Sequence, residues 1–457
     1  MSGLEAVEVS LSTIRQNKDF RIDTAYYTTQ LKKNHALQYE KIEKCLTNSQ
    51  YGISIEMNED NVGYPIYRMN EIHNMLCDLH VDKAACISSD EFEMYKLNPG
   101  DVLFNRTNSY DLVGRTGIYY PNAEHTAMIF ASYLVRFVPD EGKINSEYLT
   151  AYLNSKYGTL DIKRRARQSI NQTNVNPEEV KEMEIPLISM ALQGKIKQCF
   201  QSAHYMRIDA DNLFKGAEKL LMQKLGMTGF VPSSNNTAIK TFSESYSTTS
   251  RFDAEYYLPK YEEIEQRLSN GPTFNVHVCD GTFIPHDGYY SYIELADIGK
   301  AGNITGHITA SFNELPSRAR RLVRSGQVIV SSIEGSLQSC ALIDDIYDGA
   351  ICSTGFYIVQ SAKINAETLL VLFKSTPVQA MMKRRCSGTI LTAISSSALE
   401  EMPLPVLDNN TQKRIADYVH RSIALRRESE RLLESAKIAV EIAIEDSEEA
   451  AISWLKD

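Results

Sequence analysis

Side-chain chemistry in this sequence is concentrated in runs of basic residues and in polar loop tips. Lys163-Arg164-Arg165, followed by Arg167, returns as Lys383-Arg384-Arg385 at a separation of 220 residues, and Arg318, Arg320, Arg321 and Arg324 form a further basic group. Cations at a fixed place in two segments are suited to clamping phosphate, a contact that sets position without reading sequence. The stretch Asn105-Arg106-Thr107-Asn108-Ser109-Tyr110 carries the types that pair with base edges, arginine with guanine and asparagine with adenine. A second tip, Ser331 to Ser339, offers Ser331, Ser332 and Gln338 but no arginine. The plainer reading of three or four adjacent cations is a solvated helix face, and polar hairpin tips are common.

Groups for catalysis are not arranged to work together. Gly194-Lys195 is followed by Ile196 and lacks the preceding glycine of a phosphate-cradling loop. Asn176-Pro177 runs into Glu178 and Glu179 instead of the proline and aromatic residue that hold a target amine, and Pro139-Asp140 abuts Glu141-Gly142-Lys143 without the separation of a nuclease set. His73, Cys77 and His80 could share one helix face, but three such residues without a fourth are more often packing than a metal site. No serine sits in a nucleophile elbow. The expectation is recognition, with no catalytic residues and no metal.

The elements that must position these groups are laid out twice. Arg21-Ile22-Asp23-Thr24-Ala25-Tyr26-Tyr27 returns as Arg251-Phe252-Asp253-Ala254-Glu255-Tyr256-Tyr257, Lys143-Ile144-Asn145 as Lys363-Ile364-Asn365, and Gln193, Lys195 and Ile196 as Gln412, Arg414 and Ile415. A period of about 220 residues is far longer than a solenoid unit, so it implies two whole domains related by approximate twofold symmetry. In each half a glycine turn, at Gly100 or Gly326, leads into an apolar strand, a polar tip and a returning strand. A basic helix is expected over 148–167 and again over 368–385, then an extended segment at Pro186 or at Pro403 and Pro405.

A long helix closes each half. Its stripe reads Ile196, Cys199, Ala203, Met206, Ala210, Leu213, Ala217 and Leu220 in the first, and Ile415, Tyr418, Ser422, Leu425, Ser429, Leu432, Ala436 and Ala439 in the second. The 3-4 spacing is that of a coiled-coil seam, and about 30 residues give a rod of roughly 45 Å. One such stripe would ordinarily lie on its own domain's core. Two equivalent stripes with small side chains at matching places fit an antiparallel helix pair better.

The 457-residue chain is 43% hydrophobic and 23% charged, ordinary for globular protein, and no apolar run is long enough for a membrane span. Met1 to Phe20 lacks the apolar segment of a signal peptide, so a cytoplasmic location is expected, with the eight cysteines reduced and mostly acting as small core residues. The net charge of −10 opposes phosphate binding overall. Acidic residues gather at Glu441, Glu445, Asp446, Glu448 and Glu449, which leaves room for a locally basic face.

The layout resembles the specificity subunits of Type I restriction-modification enzymes. The likeness is carried by Leu97 to Tyr120, with its Gly-Asp-Val-Leu-Phe turn-strand and Leu-Val-Gly-Arg return, and by Ile394 to Ile415, where Leu399-Glu400-Glu401-Met402-Pro403-Leu404-Pro405 leads through Gln412-Lys413-Arg414 into the last helix. It covers almost the whole chain. The first half departs at Glu184-Ile185-Pro186, which lacks the second proline, and the second at its arginine-free tip. The resemblance implies an α+β protein with two similar mixed α/β target-recognition domains, at 1–190 and 246–408, in a pseudo-twofold internal repeat. Helices at 191–228 and 409–450 would form the antiparallel coiled coil, with a linker at 229–245 and a tail at 451–457.

It further implies a non-catalytic subunit that reads a bipartite duplex DNA target, one half-site per domain, with the helices as spacer ruler. The implied partners are double-stranded DNA, two adenine methyltransferase subunits that bring S-adenosylmethionine, and in some systems a translocating restriction subunit; no cofactor belongs to this chain. The alternatives are a symmetric protein scaffold without DNA binding, or a specificity subunit of a related methylation system that lacks a cleaving subunit.

Overall fold

Gly100 and Gly326 adopt φ of +91° and +81°, the left-handed conformation open to glycine at no steric cost, and each starts the central strand of one of two units. The computed structural model describes residues 6–16, 20–29, 33–122, 127–170, 172–388 and 391–456. One unit comprises 1–208 with 426–457, and the other 209–425. The division falls inside both long helices, so each unit owns part of each.

The two units share a four-stranded antiparallel arrangement. In the first, the order is Leu46–Tyr51, Leu134–Pro139, Val102–Asn105, Thr116–Ile118, and Leu76–Cys77 and Ile72–His73 extend it to six. In the second, the order is His277–Cys279, Phe356–Gln360, Val328–Ser331, Cys340–Leu342. Val102, Leu103 and Phe104, like Val328, Ile329 and Val330, are wholly buried. Such continuous apolar runs are what a strand covered on both faces requires.

Each predicted basic helix is two helices. α1 (Ser146–Asn154) and α2 (Lys156–Arg165) are divided at Ser155, whose hydroxyl donates to the Tyr152 carbonyl at 2.6 Å and caps the second helix at Gly158 N. In the second unit the equivalent helices Ala366–Lys374 and Thr376–Arg385 are divided at Ser375, which bonds the Leu372 carbonyl at 2.6 Å. A serine that bonds a late carbonyl of one helix, and in the first unit also caps the next, permits a sharp bend.

The repeated asparagine and glutamine form one knot per unit. Asn145 caps α1, its backbone N–H donates to Gln193 Oε1 at 2.8 Å, and its amide donates to the Gln193 carbonyl at 3.0 Å. Asn365 does the same with Gln412, at 2.9 and 3.3 Å. Both glutamine amides then return to the loop carbonyls, Lys143 and Ile188 in one unit, Lys363 and Leu407 in the other. Each knot ties the start of a long helix to its unit.

The long helices are α3 (Met190–Lys224) and α4 (Asn409–Glu445). Within each unit they pair antiparallel. Ser429 Oγ donates to the Ala203 carbonyl at 2.8 Å in the first unit, and Ser422 Oγ to the Ala210 carbonyl at 2.7 Å in the second. Ala203, Ala210, Ala217, Ser422, Ser429 and Ala436 recur every seven residues, and none is more than 1% exposed. Small side chains let the backbones approach until a serine reaches across.

The large residues of the seam differ from the expected ones. Ile196, Leu220, Ile415 and Ala439 are buried, whereas Met206, Leu213, Tyr418, Leu425 and Leu432 are only half-buried. The deep large positions are Phe200, Phe214, Val419, Leu433 and Val440, which belong to the main core of their own unit. Each stripe therefore serves the partner helix with its small residues and the unit's core with its large ones. That second demand turns the stripe by one residue.

One expectation is corrected by local geometry. His73, Cys77 and His80 do not lie on a helix: Ile72–His73 and Leu76–Cys77 form a tight hairpin turned at Asn74 and Met75, both with positive φ. Three of the acidic C-terminal residues are engaged within the first unit. Glu441 accepts from Lys156 N at the start of α2, Glu445 pairs with Lys156 Nζ at 2.7 Å, and Glu448 accepts from Ser189 N. Carboxylates are favourable at a helix N-terminus, where unpaired N–H groups point outward. All eight cysteines are free, and five are buried. Among the described residues no helix is long and apolar enough to cross a membrane.

Candidate nucleic-acid interface

The opening segment of each half docks on that half's basic cluster. Arg21 forms a two-pronged pair with Asp23 at 2.7 and 3.0 Å, and its other nitrogen reaches the Arg165 carbonyl at 2.7 Å and Glu179 at 3.1 Å. Glu179 also takes Arg167 at 3.1 Å, while Arg164 and Arg165 share Asp161 at 2.6 and 3.1 Å. The Tyr26 ring lies 4.8, 4.7 and 5.5 Å from the guanidiniums of Arg21, Arg164 and Arg165. Burial opposes ionisation of Asp23, but the hydrogen bonds and charge of Arg21 outweigh it and hold the carboxyl below its ordinary range.

The second unit repeats the design with other carboxylates. Arg251 pairs with Asp253 at 2.7 and 2.6 Å and donates to the Cys386 carbonyl at 2.8 Å; Arg384 and Arg385 share Glu265, each at 2.7 Å. Tyr256 lies 4.5 and 4.6 Å from the guanidiniums of Arg251 and Arg384, and Lys383 is 3.6 Å from Glu255. Arg165 and Arg384 are buried, so their charge is committed inside the unit. Arg167 keeps half of its side chain exposed. The recurrence of these cations thus has a structural cause: they fix the opening segment.

The first tip is part framework and part surface. Asn105 has no exposed area and donates to the Met69 carbonyl at 3.2 Å; Thr107 is 4% exposed and donates to Asn174 Oδ1 at 2.6 Å. Arg106 is half-buried, 5.2 Å from the Tyr51 ring, with a bond to the Ser132 carbonyl at 3.4 Å. Asn108, Ser109 and Tyr110 carry the accessible surface. Lys163 holds this stretch from below, its ammonium donating to the carbonyls of Tyr110 and Val113 and lying 4.8 Å from the Tyr110 ring.

Beside it stands a segment not anticipated as a reader. Thr107–Asn108 pairs with Thr173–Asn174, which pairs with Arg167–Gln168, giving a three-stranded antiparallel ribbon. Arg167, Gln168, Ser169, Gln172, Thr173 and Asn174 supply guanidinium, amides and hydroxyls along this ribbon. The available signal was the unbroken polarity of that stretch, between a basic helix and Pro177.

The second unit places the matching segments together. Ile333 and Ser387 both bridge to Ala393, so the tip again meets the chain that follows the basic helix. Ser331 and Ser332 are buried, Ser331 bonding Ser336 within the loop and Ser332 the Gly355 carbonyl in the turn beside it. Gln338 is exposed, and its carbonyl accepts from Lys374 at 2.8 Å. Arg318 is exposed and Arg320 half-buried, next to the bulged strand pairing of Ala319–Leu322 with Ile351–Ser353.

The first unit also holds a cleft of about 990 Å³ lined by Asn98, Asp101, Tyr120, Glu147, Lys197 and His204 among others. Tyr120 donates to Glu147 at 2.6 Å and its ring lies 4.9 Å from that of His204. Burial and the charge of Arg207, against a bond to the Pro121 carbonyl, push the His204 pKa from its ordinary 6.5 down to about 4. Between those values the unfolded chain binds a proton that the folded unit refuses, so stability falls as pH drops through this window. The slope from this ring should approach about 1.4 kcal/mol per pH unit, and His204→Gln should abolish it in urea unfolding at pH 4.5 and 6.5. Among the described residues no group of three His, Cys, Asp or Glu could hold a metal. His73 instead pairs with Asp78, 2.9 Å away.

No family model matches the chain. A protein of Methanocaldococcus jannaschii named a putative type I restriction enzyme MjaX specificity subunit is 22% identical over 395 residues, which span 84% of this chain and 87% of that one. The type I restriction enzyme EcoKI specificity subunit of Escherichia coli is 24% identical over 155 residues, 34% of this chain and 33% of that protein. A solved S subunit of a Type I restriction-modification system from M. genitalium aligns over 93% of this chain and 98% of that one at 12% identity, with a TM-score of 0.39.

Proposed function

We propose that this chain, similar over most of its length to a protein named as a Type I restriction enzyme specificity subunit, reads a bipartite, gapped duplex DNA target for such a system. One half-site falls to each unit, and α3 and α4 set the gap between them. The observation that carries this reading is a division of labour. The Asn-Gln knot recurs bond for bond in both units and the Arg-Asp-Tyr dock recurs with other carboxylates around it, while the tips they support differ in sequence. A constant framework suits two copies of one partner, and divergent tips suit two different half-sites.

The partners are two adenine methyltransferase subunits, which bring S-adenosylmethionine and the chemistry, and in a cleaving system a translocating subunit. Base reading falls to the accessible ends: Asn108 to Tyr110 with the 167–174 ribbon in the first unit, and Gln338 with the chain near Ser387 in the second. Arg167, Arg318 and Arg320 are placed for phosphate. The test is a comparison of methylated adenines in cells with and without this chain. A gapped motif should lose its methylation when the chain is absent; an unchanged methylome would remove the reading.

A further inference from the structure

The ribbon of the first unit ends in a residue of the wrong chemistry for water. Ile170 is 98% exposed, the most exposed large apolar side chain among the described residues. It sits at the apex of the turn that Ser169 N closes on the Gln172 carbonyl at 2.8 Å. Every other position from Arg167 to Thr173 is polar. The strands beneath it, Arg167–Gln168 and Thr173–Asn174, are locked in register to each other and to Thr107–Asn108. The major groove of duplex DNA is wide enough for a two-stranded ribbon such as the terminal pair Arg167–Gln168 and Thr173–Asn174, and the apolar group it displays is the C5-methyl of thymine.

The second half carries an isoleucine at the same 220-residue offset, Ile390, although the residues around the two positions differ. A side chain kept while its neighbours diverge points to something both half-sites have in common. Two half-sites of an adenine-methylating system share one obligatory feature, the A·T pair whose adenine is modified. Resting on the proposed function, we infer that Ile170 packs against the C5-methyl of the thymine opposite the adenine to be methylated. The ribbon thereby fixes its half-site at the pair that the partner subunit must open.

The test uses the full chain assembled with its methylating partner, and a duplex carrying the motif recovered from the methylated positions. Replacing that one thymine by uracil deletes the methyl and nothing else. Loss of one buried methyl should weaken binding about fourfold. Ile170→Ala should bind the thymine duplex about that much more weakly and be indifferent to the uracil exchange, while Ile170→Val keeps part of the discrimination. The inference is overturned if the unaltered complex binds both duplexes equally, if Ile170→Ala retains the full uracil penalty, or if the penalty falls at another thymine. A complex that binds no duplex at all overturns the DNA-reading function itself, an outcome separate from the other three.

Discussion

Arg21→Ala should destabilise the first unit by about 3–5 kcal/mol, whereas Arg251→Ala, at the same place in the second, should cost about 1 kcal/mol. Both arginines hold an aspartate, a backbone carbonyl and a tyrosine ring, but Arg21 is more buried and pairs with Glu179 as well. Arg21 is 7% exposed and pairs with Glu179, which is 4% exposed, so its removal takes one of the cations from a buried carboxylate. Arg251 retains 22% of its side-chain exposure, and its partner Asp253 is half open to water, so solvent replaces most of what is lost. Urea unfolding gives the magnitudes, and hydrogen exchange read peptide by peptide should place the loss for Arg21→Ala at 20–29 and 156–181. Equal effects of the two substitutions would refute burial, together with the Glu179 pair, as the cause. A functional consequence follows through Glu179, which also holds Arg167 at the base of the ribbon. Methylation of one half-site's motif should therefore fall more for Arg21→Ala than for Arg251→Ala.

How far the sequence could be read depended on whether a contact was local. The glycine turn, the strand after it and the polar tip were legible from 97–120, because each signal acts within a few residues. The repeated Arg-x-Asp-x-x-Tyr-Tyr and Lys-Arg-Arg segments were visible as repeats, but their union is a contact across 144 residues, Arg21 to the Arg165 carbonyl, which no periodicity encodes. Cations that looked available for phosphate were thus taken up by carboxylates elsewhere in the chain. The helix pair was legible through its small residues, since Ala203, Ala210 and Ala217 recur at seven. Its large residues were displaced by one because Phe200 and Phe214 also serve their unit's core. The hairpin at His73 to Cys77 was hidden, as Asn74 and Met75 in the left-handed region have no strong local signature beyond the asparagine.

Removing one heptad from each long helix in register, residues 206–212 together with 420–426, should shorten the gap of the methylated motif by about 3 base pairs. Seven residues span roughly 10 Å of helix, and duplex DNA rises about 3.4 Å per pair. The choice of segments follows from the seam. Ala203 with Ser429 lies outside the deletion, as do Phe214 and Val419, while Ala210 and Ser422 leave together, so no serine loses its carbonyl. A heptad also preserves the facing of the helices to about 20°, because 3.6 residues per turn nearly divides seven. Both half-site sequences should be unchanged, since neither tip nor ribbon is touched, and the original motif should go unmethylated. Deleting 206–212 alone is the necessary contrast. It slides one small-residue stripe a full heptad past the other and leaves Ser422 without the Ala210 carbonyl, so methylation should be lost at every gap. A double deletion that folds, assembles and still modifies the original gap would show that α3 and α4 hold the units without measuring DNA.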